Sequence, residues 1–465
     1  MNKVNYRKGK ENTMLKYIAK VSHVTCIGLV LAITACANFS AIDKPISKVT
    51  PDFSRQIASE RSPELLVLVG FSGGGTRAAA LAYGVLKTLA DTEVTTEKGR
   101  RSLLHEVDVI SSVSGGSFTS AYYGLRGDKI FEEFEERFLR KNVEGALIWQ
   151  VISPVNWIPQ MSGKYGRGDV AAEYYGKHIF DDARFADLNR PGAPAVVINA
   201  TDLATGMRFS FTPGYFDILC ADLDQYPLAR AVTASSAVPV LFTPITVKSY
   251  AGTCGFELPA WVDEAAKDER GSTRKAEARG LKEFMDHDKR PWLHLVDGGI
   301  ADNLGLRAFY TTFTLEGDPR QAFRDLGHPD VRHVLIISVN SFAHKKEKWI
   351  FKRVAPGLAE TIGAISSDQI GRYNYDTLDI VRYSFEYWTK QASTPQRPVS
   401  FDFVEVSFNQ VHDENQRQAL NNIGTNFELD DDEVDLLIKA AGEVLRSSPD
   451  FRTFLERTNG RVKQP

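Results

Sequence analysis

The fold of this chain is decided by residues 65–77, which read LLVLVGFSGGGTR. The first five residues form a continuous apolar run, of the kind found in a strand that is buried on both faces of a parallel sheet. Glycines then interrupt the run, and residues 78–90 carry apolar side chains at helical spacing. The stretch therefore predicts a strand, a glycine loop and a helix in succession.

A second unit of the same kind occupies residues 107–123. It predicts a strand over 107–112, a sharp turn over 113–116 and a helix that begins at Ser117. The same apolar patterning predicts further elements, with strands at 195–200, 208–212, 293–296 and 331–339 and helices at 131–139, 228–236, 352–373 and 431–446. Strands that alternate with helices predict an α/β sandwich with a mostly parallel central sheet.

The composition of the chain is that of a folded protein. Its 465 residues are 43% hydrophobic and 25% charged, so the chain is long enough to bury one large core or two ordinary ones. The formal net charge of -3 gives no indication of a nucleic-acid partner.

The turn at Ser114 lies between an apolar strand and a helix, with Gly115 and Gly116 directly behind it. This is the setting of a nucleophile elbow, in which a tight turn lifts a hydroxyl clear of the backbone and a helix N-terminus faces the developing oxyanion. The usual pattern is G-x-S-x-G, whereas Ser112 occupies the first position here. A Ser- and Gly-rich turn that binds an anion or caps a helix is therefore the alternative interpretation of this motif.

Three consecutive glycines, Gly73, Gly74 and Gly75, form the loop after the first predicted strand. Such a loop can direct several backbone N–H groups at one point, as an ester hydrolase needs in order to hold an oxyanion. A nucleotide-binding loop is the alternative, but the chain lacks the lysine of the P-loop pattern and the last glycine of the dinucleotide pattern. Arg77, just behind the glycines, either steadies the loop or contacts a phosphate group.

Asp297 follows a predicted strand and precedes Gly298 and Gly299. Because α/β proteins place their sites at the carboxyl ends of strands, this carboxylate is a candidate to accept the Ser114 proton directly. Taken alone, an Asp-Gly-Gly sequence is a common turn, and its interest comes from the two loops described above.

These three loops, in this order, resemble the patatin-like phospholipase family. The resemblance extends to residues 199–206, 231–239 and 242–244, and it covers roughly residues 65–340. It implies a three-layer α/β/α fold with a mostly parallel central sheet. We expect the patatin-like acyl hydrolase domain to occupy residues 65–345, followed by an extension of helices and strand at 346–465.

The resemblance also implies a chemistry. Ser114 would be the nucleophile and Asp297 its base, in a Ser–Asp dyad without a catalytic histidine. Backbone amides would hold the oxyanion, namely those of Gly73, Gly74, Gly75 and Gly115. The substrates would be phospholipids, lysophospholipids or other acyl-ester lipids, and the family resemblance implies no metal ion and no organic cofactor.

Two other functions fit parts of the sequence. A lipase with a Ser-His-Asp triad needs a histidine after the acid, and His333, His344 and His412 satisfy that order. A lipoprotein that keeps this fold only to bind lipid is the non-enzymatic alternative, although such a protein would not need Ser114, Asp297 and the glycine loop together.

Residues 1–35 have the pattern of an export signal. A basic segment precedes an apolar run over residues 24–35, which is too short to span a bilayer comfortably. Met14 is an alternative start, because Lys16 and Lys20 alone would supply the basic flank.

The apolar run ends in Ile33-Thr34-Ala35-Cys36, which resembles the lipobox of bacterial lipoproteins. This resemblance implies cleavage before Cys36 and attachment of the protein to the membrane through a lipid on that cysteine. The residue after Cys36 is not aspartate, which favours the outer membrane, and residues 36–64 are expected to form a tether. A plain secretory signal with an incidental cysteine is the alternative.

Two cysteines remain after those in the signal and the lipobox, Cys220 and Cys254. In an oxidising compartment they could form a disulfide, which would contribute about 3–4 kcal/mol on the chain-entropy model. Two buried free thiols are the alternative interpretation.

Overall fold

The computed structural model of the protein describes residues 43–49, 61–152, 166–239, 241–269, 272–316, 318–344 and 348–463. The predicted signal at 1–35 and the predicted lipidation site Cys36 lie outside these residues. In the part of the chain that is described, we find no helix with the length and apolarity that a bilayer crossing requires.

One large sheet organises the molecule. The strands are β1 Leu65–Phe71, β2 Thr92–Thr96, β3 Gly99–Ser102, β4 Val107–Val113, β5 Ala195–Asp202, β6 Arg208–Phe211, β7 Ile245–Lys248, β8 Trp292–Asp297, β9 His333–Asn340, β10 Ser400–Ser407 and β11 Arg461–Val462. The large sheet has the order β10-β9-β1-β4-β5-β8-β7, and β6 pairs with β5. Strands β10, β9, β1, β4 and β5 are parallel, whereas β6 and β8 run antiparallel to β5. A small antiparallel sheet holds β11, β2 and β3.

Helices cover both faces of the large sheet. They are α1 Gly75–Ala90, α2 Gly115–Arg126, α3 Ile130–Phe134, α4 Val143–Ile152, α5 Arg167–Tyr175, α6 Pro213–Ile218, α7 Leu228–Ser235, α8 Ala260–Ala266, α9 Thr273–Met285, α10 Gly299–Asp302, α11 Arg307–Glu316, α12 Pro319–Asp325, α13 Leu358–Ala392, α14 Glu414–Asn422, α15 Asp431–Ser447 and α16 Pro449–Arg457. Short 3-10 or π turns occur at Leu103–Glu106, Gly127–Lys129, Glu135–Leu139, Gly176–Phe180, Phe185–Leu188, Lys348–Phe351 and Phe408–Gln410.

The alternation of side chains along β1 creates two apolar cores. Leu65, Val67 and Val69 belong to a core with α1, α2 and α15, whereas Leu66 and Leu68 belong to a core with α11, α12 and α13. Since successive strand residues point to opposite faces, a strand that is apolar at every position must be covered on both sides. The predicted three-layer α/β/α fold with a mostly parallel sheet is confirmed.

The segment after residue 345 is part of this architecture. Strand β10 pairs with β9 in parallel along its whole length, from Ser400 opposite His333 to Ser407 opposite Asn340. Helix α15 packs on α1 so closely that a Cβ on Gly84 would stand 2.7 Å from the carbonyl oxygen of Ile438. The predicted extension at 346–465 therefore completes the same sheet and the same core as residues 65–345.

Part of the predicted tether at 36–64 lies against the body. The Asp43 carboxylate accepts the Lys248 N–H at 2.7 Å, and Pro45 forms a bridge with Ala221. Next to this contact, Cys220 and Cys254 form a disulfide with their Cα atoms 5.5 Å apart.

Candidate active site

The three predicted loops meet at one edge of the sheet. Asp297 was predicted at the carboxyl end of a strand, and it is the last residue of β8, which runs antiparallel to β5. It pairs Asp297 with Ala200, one residue beyond Asn199, which pairs with Val113. Asp297 is therefore level with the end of β4, where Ser114 begins the turn.

Ser114 has the strained backbone of a nucleophile elbow. Its φ of 49° and ψ of -121° lie in a region that side-chain-bearing residues seldom adopt, so neighbouring contacts must hold it there. The Ser114 N–H donates to the Ser235 hydroxyl at 2.9 Å, and that hydroxyl donates to the Asn199 carbonyl at 2.6 Å. Ser235 thus ties the turn to the neighbouring strand β5.

Asp297 is buried, with 9% of its surface exposed, and it faces Ser114. Burial raises the pKa of the Asp297 carboxyl group to about 6, while the Gly299 N–H and the Ser114 hydroxyl both lower this pKa. The Gly299 N–H donates to Oδ1 at 2.7 Å. The Asp297 backbone is fixed as well, because its carbonyl oxygen accepts the Thr201 hydroxyl at 2.8 Å. The result is a positioned carboxylate that takes up a proton near pH 6.

The glycine loop and the elbow are in direct backbone contact. A Cβ on Gly115 would stand 1.9 Å from the Gly75 carbonyl oxygen, so only glycine fits at position 115. Among the residues that the structure describes, the N–H groups of Gly74, Gly75 and Gly115 have no hydrogen-bond partner. Gly73 differs from the expectation, because its N–H already donates to the Asn303 carbonyl at 3.0 Å. Within the described residues, three of the four predicted oxyanion donors are therefore unpaired, whereas the Gly73 N–H is already engaged.

Arg77, which was predicted either to steady the loop or to contact a phosphate group, binds a segment distant in sequence. The Arg77 side chain is buried and its Nη1 donates to the Ile423 carbonyl at 2.7 Å, while burial lowers its pKa to about 10. The Thr76 N–H donates to the Asn426 carbonyl at 2.9 Å. On the other side of the loop, the Ser341 hydroxyl donates to the Gly73 carbonyl at 2.8 Å.

A cavity of about 420 Å³ opens beside Ser114. Its walls are mostly apolar and come from α4, α5, the loop after α7 and the segment before α15. Besides Ser114, the lining residues are Gly75, Glu144, Leu147, Ile148, Arg167, Val170, Val238, Leu241, Phe242, Thr425, Asn426 and Phe427. Sequence reasoning missed these walls, since apolar lining residues form no motif. It also assigned no role to Ser235 or Asn303, although Ser235 belongs to the family-like run at 231–239.

The three histidines considered as candidates for a triad lie away from Ser114 and Asp297. His333 is at the amino end of β9, where its Nδ1 is 2.8 Å from the Ser400 hydroxyl. His344 contacts the Tyr375 hydroxyl at 3.1 Å, and His412 is exposed. Within the described ranges, no histidine hydrogen-bonds to Ser114 or Asp297, and no group of three or more His, Cys, Asp or Glu side chains could hold a metal ion.

Comparison with solved structures gives distant similarity in fold. The chain matches human GIVD cytosolic phospholipase A2 with a TM-score of 0.43 and 12% identity, over 90% of this chain and 69% of that one. The complex of that human enzyme with methyl gamma-linolenyl fluorophosphonate matches with a TM-score of 0.40 and 13% identity, over 85% of this chain and 60% of that one. No curated protein matches the chain.

The family comparison is more direct. The model of the family described as patatin-like phospholipase matches residues 71–310, which is more than half of the 465 residues. The matched range includes the glycine loop, Ser114 and Asp297, which the fold brings together at one edge of the sheet. The chain therefore belongs to the patatin-like phospholipase family and is a lipid ester hydrolase.

Proposed function

We propose that Ser114 and Asp297 form a catalytic dyad that hydrolyses the acyl esters of phospholipids, lysophospholipids or related lipids. One observation carries the proposal: a serine on a strained turn faces a buried carboxylate whose pKa is raised to about 6. At neutral pH this carboxylate is ionised and basic enough to serve as a general base.

In the proposed reaction, Asp297 takes the proton of the Ser114 hydroxyl while Oγ bonds to the acyl carbonyl carbon. The carbonyl oxygen becomes anionic and accepts hydrogen bonds from the amides of Gly74, Gly75 and Gly115. Collapse of this intermediate breaks the ester bond, and the leaving alcohol receives the proton from Asp297. Water then attacks the acyl-enzyme with Asp297 again as base, which releases the fatty acid and restores Ser114.

The cavity beside Ser114 supports a lipid acyl chain as the group that is cleaved. Leu147, Val170, Phe242 and Phe427 give it apolar walls, and burying a methylene group against such walls contributes about 0.8 kcal/mol.

A fluorophosphonate should label the wild-type protein and fail to label Ser114→Ala, because the reagent needs an activated hydroxyl. A variant in which His333, His344 and His412 are all replaced by Gln should label as the wild type does. Loss of labelling in that histidine variant would favour a Ser-His-Asp triad, and labelling of Ser114→Ala would remove Ser114 from the mechanism.

We further propose that the protein is exported and anchored to the outer membrane through a lipid on Cys36. The sequence Ile33-Thr34-Ala35-Cys36 supports the anchor, and the disulfide between Cys220 and Cys254 supports an oxidising compartment. Radiolabelled palmitate should enter the wild-type protein and be missing from Cys36→Ala. Palmitate in Cys36→Ala would contradict the lipobox, and Cys26→Ala serves as the control that keeps the label.

A further inference from the structure

Helix α13 is packed along only part of its length. From Gly371 onward, buried side chains recur along one face, among them Asn374, Leu378, Val381 and Phe385. Between Leu358 and residue 370, none of the described side chains is buried. The first part of this helix therefore leaves the body of the protein.

The exposed part extends beyond the edge of the sheet that holds Ser114. Helix α13 connects the carboxyl end of β9 to the amino end of β10, and these strands are parallel, so the helix runs antiparallel to both. It passes the active-site edge at Asn374, whose Oδ1 accepts the Asn303 Nδ2–H at 3.4 Å, and Asn303 also holds the glycine loop. At 1.5 Å per residue, the helix before Gly371 extends roughly 20 Å past this edge.

The start of this helix, together with the segment at 348–357 that leads into it, carries large apolar side chains beside cationic ones. Phe351 is 82% exposed, Leu358 79% and Val354 78%, and Ile350 and Ile365 are more than half exposed. Lys352 and Arg353 are exposed within the same stretch. We refer to residues 348–370 as the arm.

We propose that the arm inserts its apolar side chains into the surface of a lipid bilayer that contains anionic lipids, and so turns the active-site edge towards the membrane. An exposed segment with apolar residues and adjacent basic residues has the chemistry of an interfacial element, since the apolar groups enter the headgroup boundary and the cations face lipid phosphates. The charges next to Phe351 are both basic, those of Lys352 and Arg353, whereas the acidic Glu360 and Asp368 lie farther along the arm. Basic groups beside exposed apolar side chains suit anionic lipid headgroups better than they suit an apolar protein groove.

The substrate gives a second reason for this occupant. The inference rests on the proposed function in one respect: an enzyme that cleaves bilayer lipids must bring Ser114 close to a lipid surface. The arm and the mouth of the cavity lie at the same edge of the sheet, and Ile148 and Leu241 at the cavity are 52% and 59% exposed. An arm that binds lipid would therefore hold the cavity near its substrate.

Depth-dependent quenching tests the arm without any requirement for catalysis. The full chain with Ser114→Ala is labelled with an environment-sensitive thiol dye at Phe351→Cys, and in a second sample at Tyr387→Cys. Tyr387 is also exposed, at 60%, but lies on the packed half of α13, and the native thiols are common to both samples. Vesicles of phosphatidylethanolamine and phosphatidylglycerol carry a quencher on their acyl chains.

We expect the dye at residue 351 to be quenched several-fold more than the dye at residue 387, with a smaller difference on vesicles of phosphatidylcholine alone. Equal quenching at the two positions would overturn the proposal. A different outcome is that the emission wavelength of the dye at residue 351 shifts without vesicles, by an amount that grows with protein concentration. This result would also overturn the proposal, because the arm would then bind a second copy of the chain.

A functional comparison separates the arm from the catalytic proposal. In the active protein, Phe351→Asp with Leu358→Asp should reduce hydrolysis of vesicle phospholipid roughly ten-fold, the loss expected for a large apolar side chain that no longer enters the bilayer. Hydrolysis of a soluble short-chain ester should stay unchanged, as should both activities of the control Tyr383→Asp with Tyr387→Asp. If no variant or wild type cleaves either ester, the catalytic proposal fails, and the quenching result still decides the arm.

Discussion

Asp297 is the residue on which the proposed chemistry depends, and its environment makes a prediction about pH. Burial raises its pKa from 3.8 to about 6, so the activity of the wild-type enzyme should fall as the pH drops through about 6 and the base becomes protonated. Asp297→Asn should fold and lose ester hydrolysis at every pH. The pH profile of kcat/KM for a soluble ester measures both effects.

The same pKa predicts how stability depends on pH. Because the folded state binds this proton more tightly than the unfolded chain does, the ionised Asp297 destabilises the fold above pH 6. The free energy of unfolding should therefore rise as the pH falls from about 6 towards 4, by at most about 3 kcal/mol from this group. Asp297→Asn should remove this dependence and stabilise the protein at pH 8 in chemical denaturation.

Asp217 offers a matched control, since burial also raises its pKa to about 6 but it lies in α6, outside the proposed dyad. Asp217→Asn should leave the pH profile of kcat/KM as it is in the wild type. An inflection near 6 that survives in a still active Asp297→Asn protein would assign the titration to another group.

At the scale of elements, strands could be predicted where both of their faces are apolar. β1 and most of β9 are such strands, and β4 was predicted as well, although it contains Asp108 and two serines, because a sharp turn and a helix pattern follow it. β10 was not located within the predicted extension, because Asp402 and Glu405 interrupt its apolar pattern and no turn motif marks its ends. The buried Asp402 carboxylate is paired with Arg457, 2.7 Å away on α16. The direction of β8 could not be predicted, because side-chain periodicity is the same in parallel and antiparallel strands.

The disulfide gives a prediction at this scale, because it joins the end of α6 to the loop after β7 across 34 residues. Replacing Cys220 and Cys254 together by Ala should lower the free energy of unfolding by about 3–4 kcal/mol, since the unfolded chain regains the entropy of the open loop. Denaturation in urea with and without a reductant measures the loss. Reductant should lower the wild type to the level of the double variant and leave that variant unchanged; equal midpoints for all four samples would contradict the prediction.

For the whole molecule, the sequence located the proposed nucleophile, base and glycine loop but not the segment that supports them. Arg77 is held by the carbonyl of Ile423, and the amide of Thr76 by the carbonyl of Asn426. Both partners follow residue 345 and belong to no motif, because backbone carbonyls carry no sequence signal. The family resemblance ends near residue 340, so the boundary proposed there reflects motif content and not the extent of the core.

This organisation predicts that residues 1–345 cannot fold without residues 346–465. Deleting residues 346–465 would remove β10 from the edge of β9 and expose the apolar face of α1 on which α15 packs, leaving unpaired strand groups and a large apolar surface in water. We expect this truncated protein to aggregate and to react with no fluorophosphonate, as judged by size-exclusion chromatography and labelling of the soluble fraction. A control that lacks only residues 464–465 should behave as the full chain does.

Co-expression of residues 1–345 with residues 346–465 as separate chains should restore a labelled complex, because the contacts that join them are those of one core. A soluble, monomeric and fluorophosphonate-reactive 1–345 protein would show instead that the sheet closes without its last strand.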